Sequence, residues 1–221
     1  VVANVYWPQD QWIALATMTV TILAAVLVAV PFVSQAEVLI YTADLSGAAE
    51  DPPVASPGTG FARVDYDDVA RTMRVRVDFT GLLAPVTLAH IHGPTFEPFS
   101  GNAGVMTQLP TFSGFPAGAT SGSYDETFDL TLESSFNATF VTNNGGTAAG
   151  AEAALAANLA ATRSYLNIHT TAYPSGEIRG FLQLIPEPST LALLGGGAIG
   201  LAGFRSRRRV TAPRSRRRCS H

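Results

Sequence analysis

Hydrophobic positions follow three different patterns along the chain. Residues 13–33 (IALATMTVTILAAVLVAVPFV) are apolar and carry no charge, and residues 191–204 form a shorter apolar run interrupted by Gly195, Gly196, Gly197, Gly200 and Gly203. Between them the dominant period is two, the signature of half-buried strands. Thr72–Thr80 is the clearest case: Met73, Val75, Val77 and Phe79 fall on one face, and Arg74, Arg76 and Asp78 on the other. Similar segments predict strands over Val38–Leu45, Gly60–Asp67, Val86–His92, Tyr124–Leu132, Ser164–Thr170 and Glu177–Leu184. The period lengthens at Ser134–Val141 and Thr147–Ala161, where Ala and Leu predominate and helices are expected. Glu50–Thr59 is a Pro/Gly loop, and Thr95–Gly122 has no period at all. A loop of that length inside a compact domain is expected to be functional or partly disordered. Seven or so short strands with Gly/Pro-rich connections predict a mainly β fold. The expected form is an antiparallel Greek-key sandwich or barrel with one or two short helices, plus an apolar helix at each terminus.

Charge divides the chain in the same places. All fourteen basic residues are Arg, and eight of them lie from Arg205 onward. The stretch from Glu37 to Ile185 keeps six Arg against fifteen acidic residues, a net −9. A domain so acidic repels nucleic acid, which excludes it as a partner. The Arg cluster directly follows an apolar run, where it reads as a cytoplasmic stop signal. The one cysteine is Cys219, in the basic tail, so the central domain has neither a disulfide nor a thiolate metal ligand.

These patterns divide the chain into residues 1–36, 37–185, 186–209 and 210–221. The first is read as a signal peptide or N-terminal membrane segment. Ser34 and Ala36 fit a signal-peptidase site with cleavage between Ala36 and Glu37, and an uncleaved anchor is the alternative. The last is read as a basic, disordered tail. Pro186-Glu187-Pro188, the Gly-rich apolar run and the Arg cluster, in that order, resemble the PEP-CTERM sorting signal. The resemblance implies recognition by an exosortase-type sorting enzyme and a place in the cell envelope or outside the cell, after transient anchoring in the inner membrane. The chain departs from the pattern in continuing from Val210 to His221 with a second Arg cluster.

The central domain resembles the CHRD domain, first described in chordin. The resemblance rests on Leu45-Ser46-Gly47 with Glu50-Asp51-Pro52-Pro53, on His90-Ile91-His92-Gly93, on Tyr165-Leu166-Asn167-Ile168-His169-Thr170 and on Gly176-Glu177-Ile178-Arg179-Gly180. It implies an extracellular β domain with no established enzymatic activity, and the Greek-key pattern above makes a superoxide-dismutase-like or immunoglobulin-like form the expected fold. On this reading the protein is a binding or matrix module for an extracellular polysaccharide or an envelope protein.

Three of the four histidines lie in those motifs. His90 and His92 are two apart on a strand, so both point to one face, roughly 6.5–7 Å apart at Cα. A later strand could bring His169 beside them, and three imidazoles suit copper or zinc. The His-x-His strand with a later His and a nearby Arg, here Arg179, is similar to the copper half of copper/zinc superoxide dismutase. No bridging His, His-rich zinc loop or disulfide accompanies it, so a second metal and dismutase activity are not expected. The alternative is that the imidazoles only hold loops by hydrogen bonds. Asn167, Glu177 and Arg179 are supporting candidates: Asn167 as a partner of His169, Glu177 as a charge pair with Arg179 or a partner of His169, and Arg179 as a ligand of loop carbonyls or of Glu50-Asp51. Asp65, Asp67 and Asp68 suggest calcium, though their spacing fits a solvated turn better. The chain has no Gly-x-Ser-x-Gly, phosphate-binding loop, His-Glu-x-x-His or dinucleotide fingerprint, and no catalytic residue is assigned.

Overall fold

The structure is a computed structural model that describes residues 38–186. The terminal apolar segments, the Ala36/Glu37 junction, Glu187, Pro188 and the basic tail lie outside the described residues. Eight strands form the framework: β1 (Leu39–Ser46), β2 (Thr59–Asp67), β3 (Thr72–Thr80), β4 (Val86–His92), β5 (Gly122–Asp129), β6 (Tyr165–Thr170), β7 (Ile178–Phe181) and β8 (Gln183–Leu184). Two helices, α1 (Ala138–Asn143) and α2 (Ala148–Ala160), lie between β5 and β6. Among the described residues no helix is long and apolar enough to cross a membrane.

All pairings are antiparallel, and the strands form one curled sheet in the order β4-β6-β7-β1-β2-β3-β5, with β8 pairing β1 beyond β7. The mainly β, antiparallel expectation therefore holds in its broad form, but one half-barrel replaces the two hydrogen-bonded sheets of a sandwich. The concave face collects one parity of each strand: Tyr41, Ala43 and Leu45 from β1; Ala62, Val64 and Tyr66 from β2; Met73, Val75, Val77 and Phe79 from β3; Tyr124 and Phe128 from β5. Ala89 and Ile91, Leu166 and Ile168, and Ile178 continue this core through β4, β6 and β7. Helix α2 adds Ala151, Leu155 and Leu159, one face at a spacing of four.

The aperiodic segment 95–121 is neither strand nor helix, yet it is built into the fold. It runs along the free edge of β4, where Met106 N–H donates to Ile91 O, Phe112 N–H to Ala89 O and Gly118 N–H to Val86 O. The hydroxyls of Thr107 and Thr111 accept from Ile91 N–H and Ala89 N–H. This cover satisfies the backbone groups that an edge strand would otherwise leave open. The same segment lays Phe112 and Phe115 against Tyr124 of β5, sealing the opening between the two edge strands. Its apolar residues fill a gap rather than line a face, so they carry no period.

Two other expectations are corrected locally. The fifth strand ends at Asp129 rather than Leu132, because the Asp129 carboxylate accepts from both the N–H and the hydroxyl of Thr131 and turns the chain. The first helix begins at Ala138 rather than Ser134, since Asn137 caps it through Thr139 N–H, and a short 3₁₀ turn (Glu133–Ser135) precedes it. Asp67 likewise closes the β2–β3 turn by accepting from Val69 and Ala70 N–H, and Asp65 pairs with Arg63 and Arg76, as a solvated turn requires.

Glu177 ties three segments of the domain together. It is fully buried, and its carboxylate accepts from the Ser56 hydroxyl at 2.6 Å, Leu83 N–H at 2.6 Å and the Thr170 hydroxyl at 2.7 Å. Glu177→Ala is expected to cost about 3 kcal/mol, since three donors, among them the buried Thr170 hydroxyl, lose their acceptor, whereas Ser56→Ala costs about 1 kcal/mol. Urea denaturation of the two variants checks this, and equal losses would contradict the role.

Candidate metal centre

The chemistry lies on the convex face of β4, β6 and β7, opposite the core. His90 and His92 share that face of β4, Tyr165, Asn167 and His169 that of β6, and Arg179 and Phe181 that of β7. The register sets them side by side: Leu88 opposite His169, His90 opposite Asn167, His92 opposite Tyr165, and then Asn167 opposite Arg179 and Tyr165 opposite Phe181. Loops around Glu50, Ala103, Pro110 and Pro174 close over this face. As a result His90, His92 and His169 are all buried, at 2%, 8% and 7% exposure.

The three imidazoles converge. One ring nitrogen from each lies within 4.8 Å of the others, and the ring centroids are 5.5–5.7 Å apart. Backbone carbonyls fix the rings. His90 Nε2 is 2.5 Å from Pro110 O, His92 Nδ1 is 3.0 Å from Ala103 O, and His169 Nδ1 is 2.9 Å from Pro174 O. A carbonyl accepts only, so each of those nitrogens carries the ring proton. Each neutral ring then keeps one lone pair: on Nδ1 of His90 and on Nε2 of His92 and His169. His90 Nδ1 is buried with no partner, and the two Nε2 atoms face each other at 3.3 Å. Burial pushes all three histidines toward the neutral form, His92 down to about 4, against the opposing pull of the carbonyl bonds.

The surroundings differ on the two sides. Leu88, Val105, Leu109, Pro110 and Pro174 line an apolar cavity of about 540 Å³ that reaches all three histidines. A polar cavity of about 580 Å³ touches His92 from the other side, between Glu50, Asp51, Asn102, Tyr165 and Tyr173. Tyr165 stacks on His92 with centroids 5.0 Å apart and planes 7° from parallel. Arg179 lies over the other side of that phenol, 4.7 Å from its centroid. Its guanidinium donates to Ala49 O, Gly101 O and Asn102 Oδ1, and Glu50 lies 3.8 Å away.

The supporting candidates take different places. Arg179 braces the loops and Tyr165. Asn167 lies between Glu50 and His90 rather than on His169, and its amide donates to Ser175 O. Glu177 does not pair with Arg179 or reach His169, because its carboxylate is used by Ser56, Leu83 and Thr170. The sequence names Glu50 only as a partner of Arg179 and does not single out Tyr165, although both lie in its recognised motifs. Loop hydrogen bonds from the rings are among the expectations, but which carbonyls accept them no residue identity reveals.

A family model for the CHRD domain matches residues 41–182. The chain belongs to the CHRD family. A second model, the PEP-CTERM protein-sorting motif, matches residues 184–209, and it supports export to the cell envelope or beyond by way of an exosortase. No curated protein and no solved structure matches the chain.

Glu50 generates a prediction about acidity. Burial raises its pKa from 4.5 to about 7, and the nearby Arg179 guanidinium offsets only part of that rise. The folded state holds this proton more tightly than the unfolded state, so stability is greatest below about pH 4.5 and is lost as pH rises through 7. His92 acts in the opposite sense, costing stability as pH falls from 6.5 toward 4. Glu50→Gln removes the alkaline-side loss, so relative to the native chain it gains up to about 3 kcal/mol at pH 8 over its value at pH 4.5. Urea titrations at the two pH values measure the difference, and a pH-independent effect would refute it.

Proposed function

We propose that this exported CHRD domain binds a single copper ion through His90 Nδ1, His92 Nε2 and His169 Nε2. The observation that carries the reading is the set of three buried lone pairs on rings whose N–H groups are all committed to carbonyls. Without an ion, the 3.3 Å approach of two Nε2 lone pairs is repulsive. A proton between them would create an imidazolium where burial disfavours one. Two nitrogens each about 2.0 Å from one ion at a tetrahedral angle are about 3.3 Å apart, so that spacing suits a bound cation. Three neutral imidazoles with no thiolate or carboxylate suit copper or zinc, and copper binds such a set more tightly. The carbonyls that orient the rings also raise their basicity as ligands. The apolar cavity leaves the fourth position open.

A second reading, a non-enzymatic binding or matrix module, is favoured by the polar cavity beside His92. Asp51, Asn102, Tyr173 and Ser175 around it are the groups that would meet polysaccharide hydroxyls. Both readings place the protein at the envelope or outside the cell, sorted through residues 186–209.

The test is elemental analysis after loading with copper(II) or zinc(II) and a chelator wash. The native chain is expected to retain about one equivalent, and His92→Ala and His169→Ala less than a tenth. Retention below a tenth by the native chain, or undiminished binding by the variants, rejects the metal reading. At free copper one hundred times Kd, binding should add about 2.7 kcal/mol to native stability and nothing to the variants.

A further inference from the structure

The aromatic stack beside the histidines does not stop at Tyr165. Tyr165 meets Phe181 at 5.4 Å between centroids, and Phe181 meets Phe99 at 6.1 Å. Phe99 is 54% exposed, and its neighbour Phe96, at 89%, is the most exposed large hydrophobic side chain among the described residues. A continuous line of rings therefore joins His92 to the surface: His92, Tyr165, Phe181, Phe99. Resting on the copper reading above, we infer that this line is the electron path between the metal and a carrier protein docking at Phe96 and Phe99.

Three features support a route over mere packing. First, its outer end is held in place. Phe99 has a φ of +60°, a region L residues rarely adopt, and its N–H donates to Thr162 O at 3.2 Å. Thr95 fastens the other side of the same loop, donating from its hydroxyl to Glu97 O and from its N–H to Arg163 O. The two phenylalanines are thus presented on a braced loop.

Second, Arg179 is set against the rings at their midpoint, 4.7 Å from Tyr165 and 5.7 Å from Phe181. A fixed cation there opposes oxidation of the phenol. The phenol oxygen accepts from Ala103 N–H at 3.1 Å, and its hydroxyl faces Ala103 O at 3.5 Å, a backbone carbonyl that is too weak a base to take the proton. Tyr165 therefore serves as a bridge and not as a radical site. One electron leaves copper(I), giving copper(II), and the oxidised cofactor of the partner takes it up; no bond forms or breaks and no proton moves.

Third, charge selects the partner. Glu97 lies exposed between the two phenylalanines, and Asp51 is exposed beside Asn102, whose amide donates to Asp51 O. The domain as a whole is at −9. An apolar centre with an acidic rim fits a one-electron carrier with a basic rim around its cofactor edge. Encounters of that kind are small and salt-sensitive.

The full chain in detergent, loaded with copper(I), is mixed with ferricytochrome c as a basic-rimmed carrier, and the second-order rate is followed by stopped flow. Copper content is measured first in every sample. The native rate should fall as salt rises. Phe99→Leu and Phe181→Leu should each slow it at least tenfold at unchanged copper content, and Glu97→Lys should slow it and weaken its salt dependence. Phe96→Ser, which alters only an exposed side chain and so leaves folding intact, should slow it at least threefold. Ferricyanide, small enough to reach the metal through the open cavity, should oxidise all variants at the native rate. Copper absent from the native chain overturns the reading of the site itself. Normal copper with unchanged cytochrome rates in Phe96→Ser and Phe99→Leu overturns the electron path alone.

Discussion

Strand β6 is buried on both faces along all six of its residues, and the rest of the domain follows from that constraint. Leu166 and Ile168 need the concave core. Tyr165, Asn167 and His169 need a second cover, which only loops can supply on the convex side. A polar group buried without a partner costs more than the net worth of a typical hydrogen bond. The cover must therefore bring acceptors to each ring N–H, and it brings them as backbone carbonyls of Ala103, Pro110 and Pro174. Satisfying those three donors leaves the opposite nitrogens with nothing but each other. The metal reading is thus a consequence of how the convex face is buried, and it does not depend on the mere presence of three histidines.

The same constraint separates strength from chemistry in the fold. The half of the sheet from β1 through β5 has one wet face, and its charged residues pair across it, as Arg74 does with Asp125. Such exposed pairs add little stability, and no functional role is needed to explain them. The half from β4 through β7 has no wet face. Its polar residues are few, buried and shared: Arg179 alone engages two loop carbonyls, Asn102, Glu50 and the Tyr165 ring. Glu177 does the equivalent for the far end of the 47–58 loop, at Ser56, and for Leu83 and Thr170. These two residues hold the cover, and the cover holds the imidazoles.

How much of this could be read from the sequence depended on burial. Thr72–Thr80 alternates because one face is wet, so its bounds were read correctly as β3. Val86–His92 was bounded correctly as β4, but its parity did not reveal which side was core, because both sides are buried. The His-x-His spacing placed two rings on one face from strand geometry alone. The third ring needed the pairing of β4 with β6, which is set by long-range contacts. The aperiodic segment 95–121 hid both the edge cover and Phe99, because a segment that fills a gap has no repeat. Glu50 and Tyr165 lay within recognised motifs, yet their roles depend on partners set by long-range folding: Arg179 for Glu50, and His92 and Ala103 for Tyr165.

Topology also orients the site. Ile185 N–H donates to Ile40 O at 2.8 Å, and β8 pairs with Tyr41 and Thr42 near the start of β1. The two ends of the described domain therefore leave it together. The row that carries the histidines meets β1 at its other end, where Ser46 lies opposite Arg179 and Arg179 opposite Asn167. From Ile40 to Ser46 a strand advances roughly 20 Å. The histidine row therefore stands at the far end of the strand from Ile40 and Ile185. The opposite end of the sheet, around Tyr66 and Met73, holds no cluster of ligating side chains among the described residues, so topology confines the ligating chemistry to the end where Ser46 meets Arg179.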